Sequence, residues 1–201
     1  MIAIDQKFPE FSMPVYDPVK DEEGWISSVD LFGKGTGKWV LLYYYPADFT
    51  YICPTELADL TKREEEFKKL GVEIIAVSTD TVFTHKGWVD HEELLRGTKY
   101  LMAADHTGKL ARELGIYNEE DGLAARGAFI IDPEGVLRAV DIVSGDIGRS
   151  AAELLRKAKA LLFVRNNPGK VCPASWDEGA KTITKSIKIA GKVYKALGKT
   201  G

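Results

Sequence analysis

Seven consecutive residues, Trp39-Val40-Leu41-Leu42-Tyr43-Tyr44-Tyr45, are β-favouring and carry no polar alternation. A strand of that kind must be covered on both faces, which places it at the centre of a helix-flanked sheet. The residues after it repeat the logic. Pro54 suits the first turn of a helix, where its missing N–H costs nothing. Leu57, Leu60, Phe67 and Leu70 then recur at helical spacing, with Glu64/Lys68 and Glu65/Lys69 expected to pair on the wet side. Gly71 ends that helix, and Val72 to Val77 begins a second buried strand.

Further helices are expected from Thr84 to Arg96, from Thr107 to Leu114 with Gly115 as the cap, and from Arg149 to Arg165. Gly127 to Ile131 and Val136 to Val143 flank Asp132-Pro133-Glu134-Gly135, a turn sequence that makes them a hairpin. Alternating strands and helices that end in a hairpin imply an α/β fold with a mixed central sheet. From Asn166 the character changes: Asn166-Asn167-Pro168-Gly169 is a linker. Ile183, Ile187, Ala190, Val193 and Leu197 then follow at helical spacing. The expected division is a body over residues 1–165 and an extension over 166–201, whose apolar stripe packs on the body or on a second subunit.

A chain of 201 residues has room for one such domain and an appendage. Its formal net charge of −3 supplies no electrostatic reason for binding nucleic acid or anionic membrane. The start, Met1 to Asp5, lacks a basic segment followed by an apolar core, and no apolar run is long enough to cross a bilayer. The expectation is a cytoplasmic protein, in which a standing structural disulfide is disfavoured. Gly33-Lys34-Gly35-Thr36-Gly37-Lys38 has the wrong spacing for a phosphate loop, and Trp39 stands where such a loop needs a hydroxyl, so it reads as a turn before a strand.

The chain holds two cysteines, Cys53 and Cys172, each followed by proline. Cys53 opens the helix predicted after the central strand, where backbone N–H groups favour an anionic sulfur. A nearby guanidinium would add to this. Ionising a free thiol of pKa ~8.5 raises the reactive fraction only about tenfold at neutral pH, so rapid chemistry also needs donors that stabilise charge on a leaving oxygen.

The segment Pro46-Ala47-Asp48-Phe49-Thr50-Tyr51-Ile52-Cys53-Pro54-Thr55-Glu56 resembles the active-site signature of typical 2-Cys peroxiredoxins, most closely the bacterial alkyl hydroperoxide reductase C type. The resemblance continues through Val77-Ser78-Thr79-Asp80, His85-Lys86-Gly87-Trp88, Arg126 to Pro133 and Gly169 to Pro173, in the family's order. It implies a thioredoxin-like fold and a hydroperoxide substrate. Cys53 would be the peroxidatic cysteine and Thr50 the hydroxyl that bonds peroxide and thiolate. Pro46 would shield the sulfur, and Arg126 would stabilise thiolate and transition state. Glu56 would be the carboxylate that positions arginines. Cys172 would be the resolving cysteine, supplied by the partner subunit of a head-to-tail homodimer. The C-terminal extension would then pack on that partner, and the dimers would close into a decamer. No cofactor or metal is implied; electrons would come from thioredoxin or a flavoprotein disulfide reductase.

The resemblance has gaps: the Gly-Gly-Leu-Gly insertion of the peroxide-sensitive branch is replaced by Asn118-Glu119-Glu120-Asp121-Gly122-Leu123, and the chain ends Lys199-Thr200-Gly201 without a Tyr-Phe pair. Fast local opening and resistance to over-oxidation are therefore expected. His85 and His91 lack the spacing of a helical metal pair, and no Cys-x-x-Cys supports a general thiol–disulfide oxidoreductase. A cysteine protease would need a histidine beside Cys53, which the Pro46 and Thr50 context argues against. A holdase-type chaperone role, as the main or a second activity, stays open.

Overall fold

The computed structural model describes residues 2–32 and 37–198. The turn sequence Gly33–Thr36 and the end Lys199–Gly201 lie outside them. The chain divides into two compact units, Met1–Ala151 and Ala152–Gly201.

The first unit begins with a hairpin of β1 (Ser12–Asp17) and β2 (Glu22–Ser27), then α1 (Ser28–Phe32) and β3 (Trp39–Tyr44). There follow α2 (Cys53–Lys69), β4 (Val72–Ser78), α3 (Val82–His91), β5 (Leu101–Ala104) and α4 (Lys109–Leu114). A small hairpin of β6 (Tyr117–Asn118) and β7 (Leu123–Ala124) leads to β8 (Arg126–Ile131) and β9 (Leu137–Val143). The seven-stranded sheet runs β2-β1-β5-β4-β3-β8-β9. β3, β4 and β5 are parallel, and β8, β9, β1 and β2 join antiparallel, which makes the sheet mixed and the fold thioredoxin-like.

All six residues of β3 are buried, as the missing alternation requires. Val40, Leu42 and Tyr44 enter one core with Phe8, Ile75, Phe129 and Ile131. Leu41 and Tyr43 point to the opposite face by the two-residue strand period. Each fully buried side chain of this size contributes roughly 1.5–3 kcal/mol. α2 buries Leu57, Leu60 and Phe67, as the periodicity predicts. On its wet side Glu65 reaches Lys99 at 3.4 Å rather than Lys69.

The helix expected from Thr84 to Arg96 is divided. α3 (Val82–His91) starts two residues earlier, capped by Thr81, and stops at Glu92, whose extended backbone (φ −90°, ψ 110°) breaks it; a separate 3-10 turn covers Glu93–Leu95. α4 begins later than Thr107 because Gly108 is left-handed (φ 66°), and Gly115 (φ 74°) closes it. The β8–β9 turn is built as expected: Asp132 Oδ1 accepts from the N–H groups of Glu134 and Val136.

The second unit contains all but the first residue of α5 (Ala151–Asn166), then β10 (Lys170–Val171), β11 (Ile183–Thr184) and α6 (Val193–Ala196). The helical stripe expected from Ile183 to Leu197 does not form as one helix. Ile183 pairs as a strand with Val171, Ile187–Ile189 is a single 3-10 turn, and Gly191 at φ 73° interrupts the pattern before α6. Regular spacing without a supporting backbone preference is a weak helix signal. Among the described residues no helix is long and apolar enough to cross a membrane.

Candidate active site

β3 ends at Tyr44, and the segment Tyr45–Ile52 carries the chain over to α2. Phe49 adopts a left-handed backbone (φ 54°), a strained conformation for a bulky residue, and leaves its ring 59% exposed against Trp88. Thr50 follows directly. Its hydroxyl donates to Ala47 O at 2.8 Å. A hydroxyl has one hydrogen, so in this arrangement Thr50 offers lone pairs rather than a donor to anything beside it. Pro46 is half-buried at the start of the segment, and Tyr51 is exposed.

Cys53 is fully buried and is the first residue of α2. No side chain caps this helix, and Pro54 occupies its first turn. The positive end of the helix therefore opens at the sulfur. From β8, Arg126 donates Nη1 to Cys53 Sγ at 3.2 Å and to Glu56 Oε2 at 2.9 Å, and Nε to Gly145 O at 2.8 Å. Cys53, Arg126 and Glu56, expected to act together, do converge.

A second arginine completes the cluster. Arg149 gives Glu56 its backbone N–H (2.7 Å), Nε (3.0 Å) and Nη2 (3.1 Å), while its guanidinium lies 3.6 Å over the Tyr43 ring. Burial disfavours ionised Glu56, but the hydrogen bonds and charge of Arg149, with help from Arg126, outweigh it and hold the carboxyl below its ordinary value. Two buried guanidiniums face one carboxylate. The cluster thus carries one uncompensated positive charge, directed at the sulfur and at whatever oxygen approaches it. No motif in the chain marks Arg149. The signal was the role given to Glu56, since a carboxylate that positions arginines needs more than one.

Beneath the segment, Asp48 Oδ2 meets His85 Nδ1 at 2.7 Å, and Tyr45 donates its hydroxyl to Asp48 Oδ1 at 2.7 Å. His85 Nε2 faces Ala103 O at 3.1 Å. A carbonyl only accepts, so Nε2 is the nitrogen that donates there, and Nδ1 is left to face the Asp48 carboxyl. Burial pushes the Asp48 carboxyl up, against the pull of His85. The backbone N–H of Asp48 is in turn held by Asp80 Oδ2 at 2.8 Å. This cluster fixes the base of the Cys53 segment and leaves its ring and carboxyl buried. Among the described residues no group of three or more His, Cys, Asp or Glu could hold a metal ion.

Cys172 lies in the second unit, half-buried, with Sγ 3.9 Å from Ala160 O. Both cysteines are free thiols.

Residues 4–140 match the model of the AhpC/TSA family. An alkyl hydroperoxide reductase C of Staphylococcus aureus is 44% identical over 193 residues, which span 96% of this chain and 100% of that protein. Among solved structures, AhpC of Enterococcus faecalis superimposes with a TM-score of 0.80 at 39% identity, over 86% of this chain and 100% of that one. A reduced 2-Cys peroxiredoxin of Plasmodium vivax superimposes with a TM-score of 0.87 at 27% identity, covering 94% and 97%. With its body matched by the family model and nearly its whole length by these relatives, the chain belongs to the AhpC/TSA family.

Proposed function

We propose that this protein is a thiol-dependent peroxidase that reduces hydrogen peroxide and organic hydroperoxides through Cys53 and Cys172. The observation that carries the reading is the Arg126 donor 3.2 Å from a sulfur that opens a helix. The Cys53 thiolate attacks the terminal oxygen of the hydroperoxide, the O–O bond breaks, and the departing alkoxide or hydroxide takes up a proton from solvent to leave as alcohol or water. Cys53 becomes a sulfenic acid. Arg126 stabilises the charge that develops on the departing oxygen. Thr50 accepts from the hydroperoxide O–H, Pro46 keeps water from the sulfur, and Glu56 with Arg149 holds Arg126 in line.

Cys172 of the partner subunit then attacks the sulfenic sulfur and releases water, leaving an intersubunit disulfide. This requires a head-to-tail homodimer. In our reading residues 1–165 act as the peroxidase body and 166–201 as the arm that delivers the second thiol, with dimers closing into a decamer. Exposed Phe49 and Tyr51 supply apolar area for subunit contacts. Thioredoxin or a flavoprotein disulfide reductase returns the disulfide to thiols, and the cytoplasm is the compartment that keeps such a cycle running. Asn118 to Leu123, which lacks the Gly-Gly-Leu-Gly sequence of the peroxide-sensitive branch, pairs as the short β6–β7 hairpin, and in our reading the enzyme is of the robust type.

The test is non-reducing electrophoresis after one equivalent of hydrogen peroxide on wild type, Cys53→Ser and Cys172→Ser. A covalent dimer in wild type and in neither variant is the expected result. Oxidation without a dimer would remove the intersubunit step, and an unreactive Cys53 would overturn the peroxidase reading.

A further inference from the structure

The face of the sheet that carries Arg126 also carries Tyr43. Tyr43 on β3 pairs with Ala128 on β8, and Arg126 stands two residues before Ala128 on the same strand, so all three share that face. On the parallel side Tyr43 pairs with Ala76 of β4. Neither alanine has bulk to set against the ring. Arg149 takes the space: its Cζ lies 3.6 Å from the centre of the Tyr43 ring, and both Tyr43 and the arginine side chain are 1% exposed.

The stack answers a deficit in the charged cluster. Nε and Nη2 of Arg149 are spent on Glu56, but Nη1 is buried and has no hydrogen-bond acceptor among the described residues. A buried donor left unpaired is destabilising. It is more so on a guanidinium whose carboxylate is already shared with Arg126. The negative π face of an aromatic ring attracts such a charge, and most strongly where water is excluded. Burial, against the pull of Arg149, pushes the Tyr43 phenol up, so the ring stays neutral and offers its π face rather than a phenolate.

We propose that Tyr43 is a positioning residue for the attack of Cys53 on hydroperoxide: its ring holds the Arg149 guanidinium flat, Arg149 holds Glu56, and Glu56 holds Arg126 against the sulfur. The proposal deepens the peroxidase reading and rests on it. Glu56 accepts from the backbone N–H, Nε and Nη2 of Arg149. It also accepts from Arg126 Nη1, the nitrogen that reaches Cys53 Sγ at 3.2 Å. A tilted Arg149 would turn the carboxylate, and the nitrogen shared between Glu56 and the sulfur would follow it. The donor to the departing oxygen is then out of line, and small displacements of such a donor are costly. The ring does the holding and the hydroxyl does not, so phenylalanine should serve equally.

The experiment measures the second-order rate constant of reduced Cys53 with hydrogen peroxide in the full-length protein, by competition against a reference peroxidase. Tyr43→Phe is expected within about twofold of wild type, and Tyr43→Leu to fall about fivefold or more, the worth of a desolvated cation–π contact. Leucine also shrinks a buried side chain, so a further variant carries pentafluorophenylalanine at position 43. That ring keeps its shape but reverses the charge of its face, and should react as slowly as Tyr43→Leu. In an Arg149→Met background Tyr43→Leu should cost nothing more, since the guanidinium it served is gone. A wild-type rate in the pentafluorophenylalanine protein, or an undiminished further loss in Arg149→Met, would overturn the proposal. Tyr43→Phe as slow as Tyr43→Leu would do the same, by moving the role to the hydroxyl. A wild-type Cys53 inert to peroxide would overturn the peroxidase reading and this proposal with it. A fast wild type with indifferent ring variants overturns the proposal alone.

Discussion

Arg126 Nη1 reaches the Cys53 sulfur at 3.2 Å and, from the same nitrogen, Glu56 at 2.9 Å. One donor thus links the sulfur to the buried carboxylate that orients it. Replacing Arg126 with alanine should lower the second-order rate constant of Cys53 with hydrogen peroxide by about 10²–10³-fold, the loss seen when one transition-state donor is removed. Arg126→Lys should retain little of the rate, because a single ammonium cannot bond sulfur, carboxylate and Gly145 O in the same plane. The rate is read by competition against a reference peroxidase. A near-wild-type constant for Arg126→Ala would take the guanidinium out of the reaction.

Thr50 separates two kinds of hydroxyl function. Its hydrogen is spent on Ala47 O, so its value to a bound hydroperoxide is as an acceptor. Thr50→Ser should keep that capacity and react within about threefold of wild type, whereas Thr50→Val should lose about 10–100-fold, the worth of one or two good hydrogen bonds. Equal rates for Ser and Val variants would show that the side chain serves only to shape the segment.

The Asp48–His85 pair is fully buried, so the losses from removing each partner should not add. His85→Leu leaves a buried carboxyl with only Tyr45 and should destabilise the fold by about 3–5 kcal/mol. Asp48→Leu should be similarly damaging. The double variant should fall well short of the sum of the two in urea titrations, since neither partner is then left buried without the other and only the Tyr45 hydroxyl loses its acceptor. Additive losses would mean that the two side chains act independently.

Much of this architecture is visible in the chain because local pattern and tertiary environment agree. The unbroken apolar run of β3, the Pro54 helix start and the Asp132–Gly135 turn all carried through. The N-terminal hairpin was not visible: Pro14 sits inside β1, and proline in an apparent strand argues against one. The tail misled in the opposite direction, because Gly191 breaks a periodicity that its neighbours maintain. At the site, Cys53, Arg126 and Glu56 were legible through their motif. Arg149 and the Asp48–His85 pair were not. Arg149 lies 93 residues from its carboxylate, and pairing at such a distance leaves no local trace.

Glu56 makes the site's own contribution to acid stability. Arg149 and Arg126 overcome the burial cost and hold its carboxyl below the ordinary value of 4.5. The ionised form is thus favoured by folding, and the sign follows. Above about pH 5 the unfolded chain is also ionised, so the stabilisation is present in full. As pH falls below the ordinary carboxylate range the unfolded chain takes up the proton first, and the contribution is lost progressively until the folded carboxyl protonates as well. Glu56→Gln should therefore be less stable than wild type by about 3–5 kcal/mol at pH 7, because two buried guanidiniums lose their counter-charge. The gap should narrow as pH is lowered through 4 toward 2, with other carboxylates titrating equally in both proteins. Chemical denaturation of the two reduced proteins across that range measures it. A gap independent of pH would mean that Glu56 stabilises the fold through its shape and hydrogen bonds, with no part played by its charge.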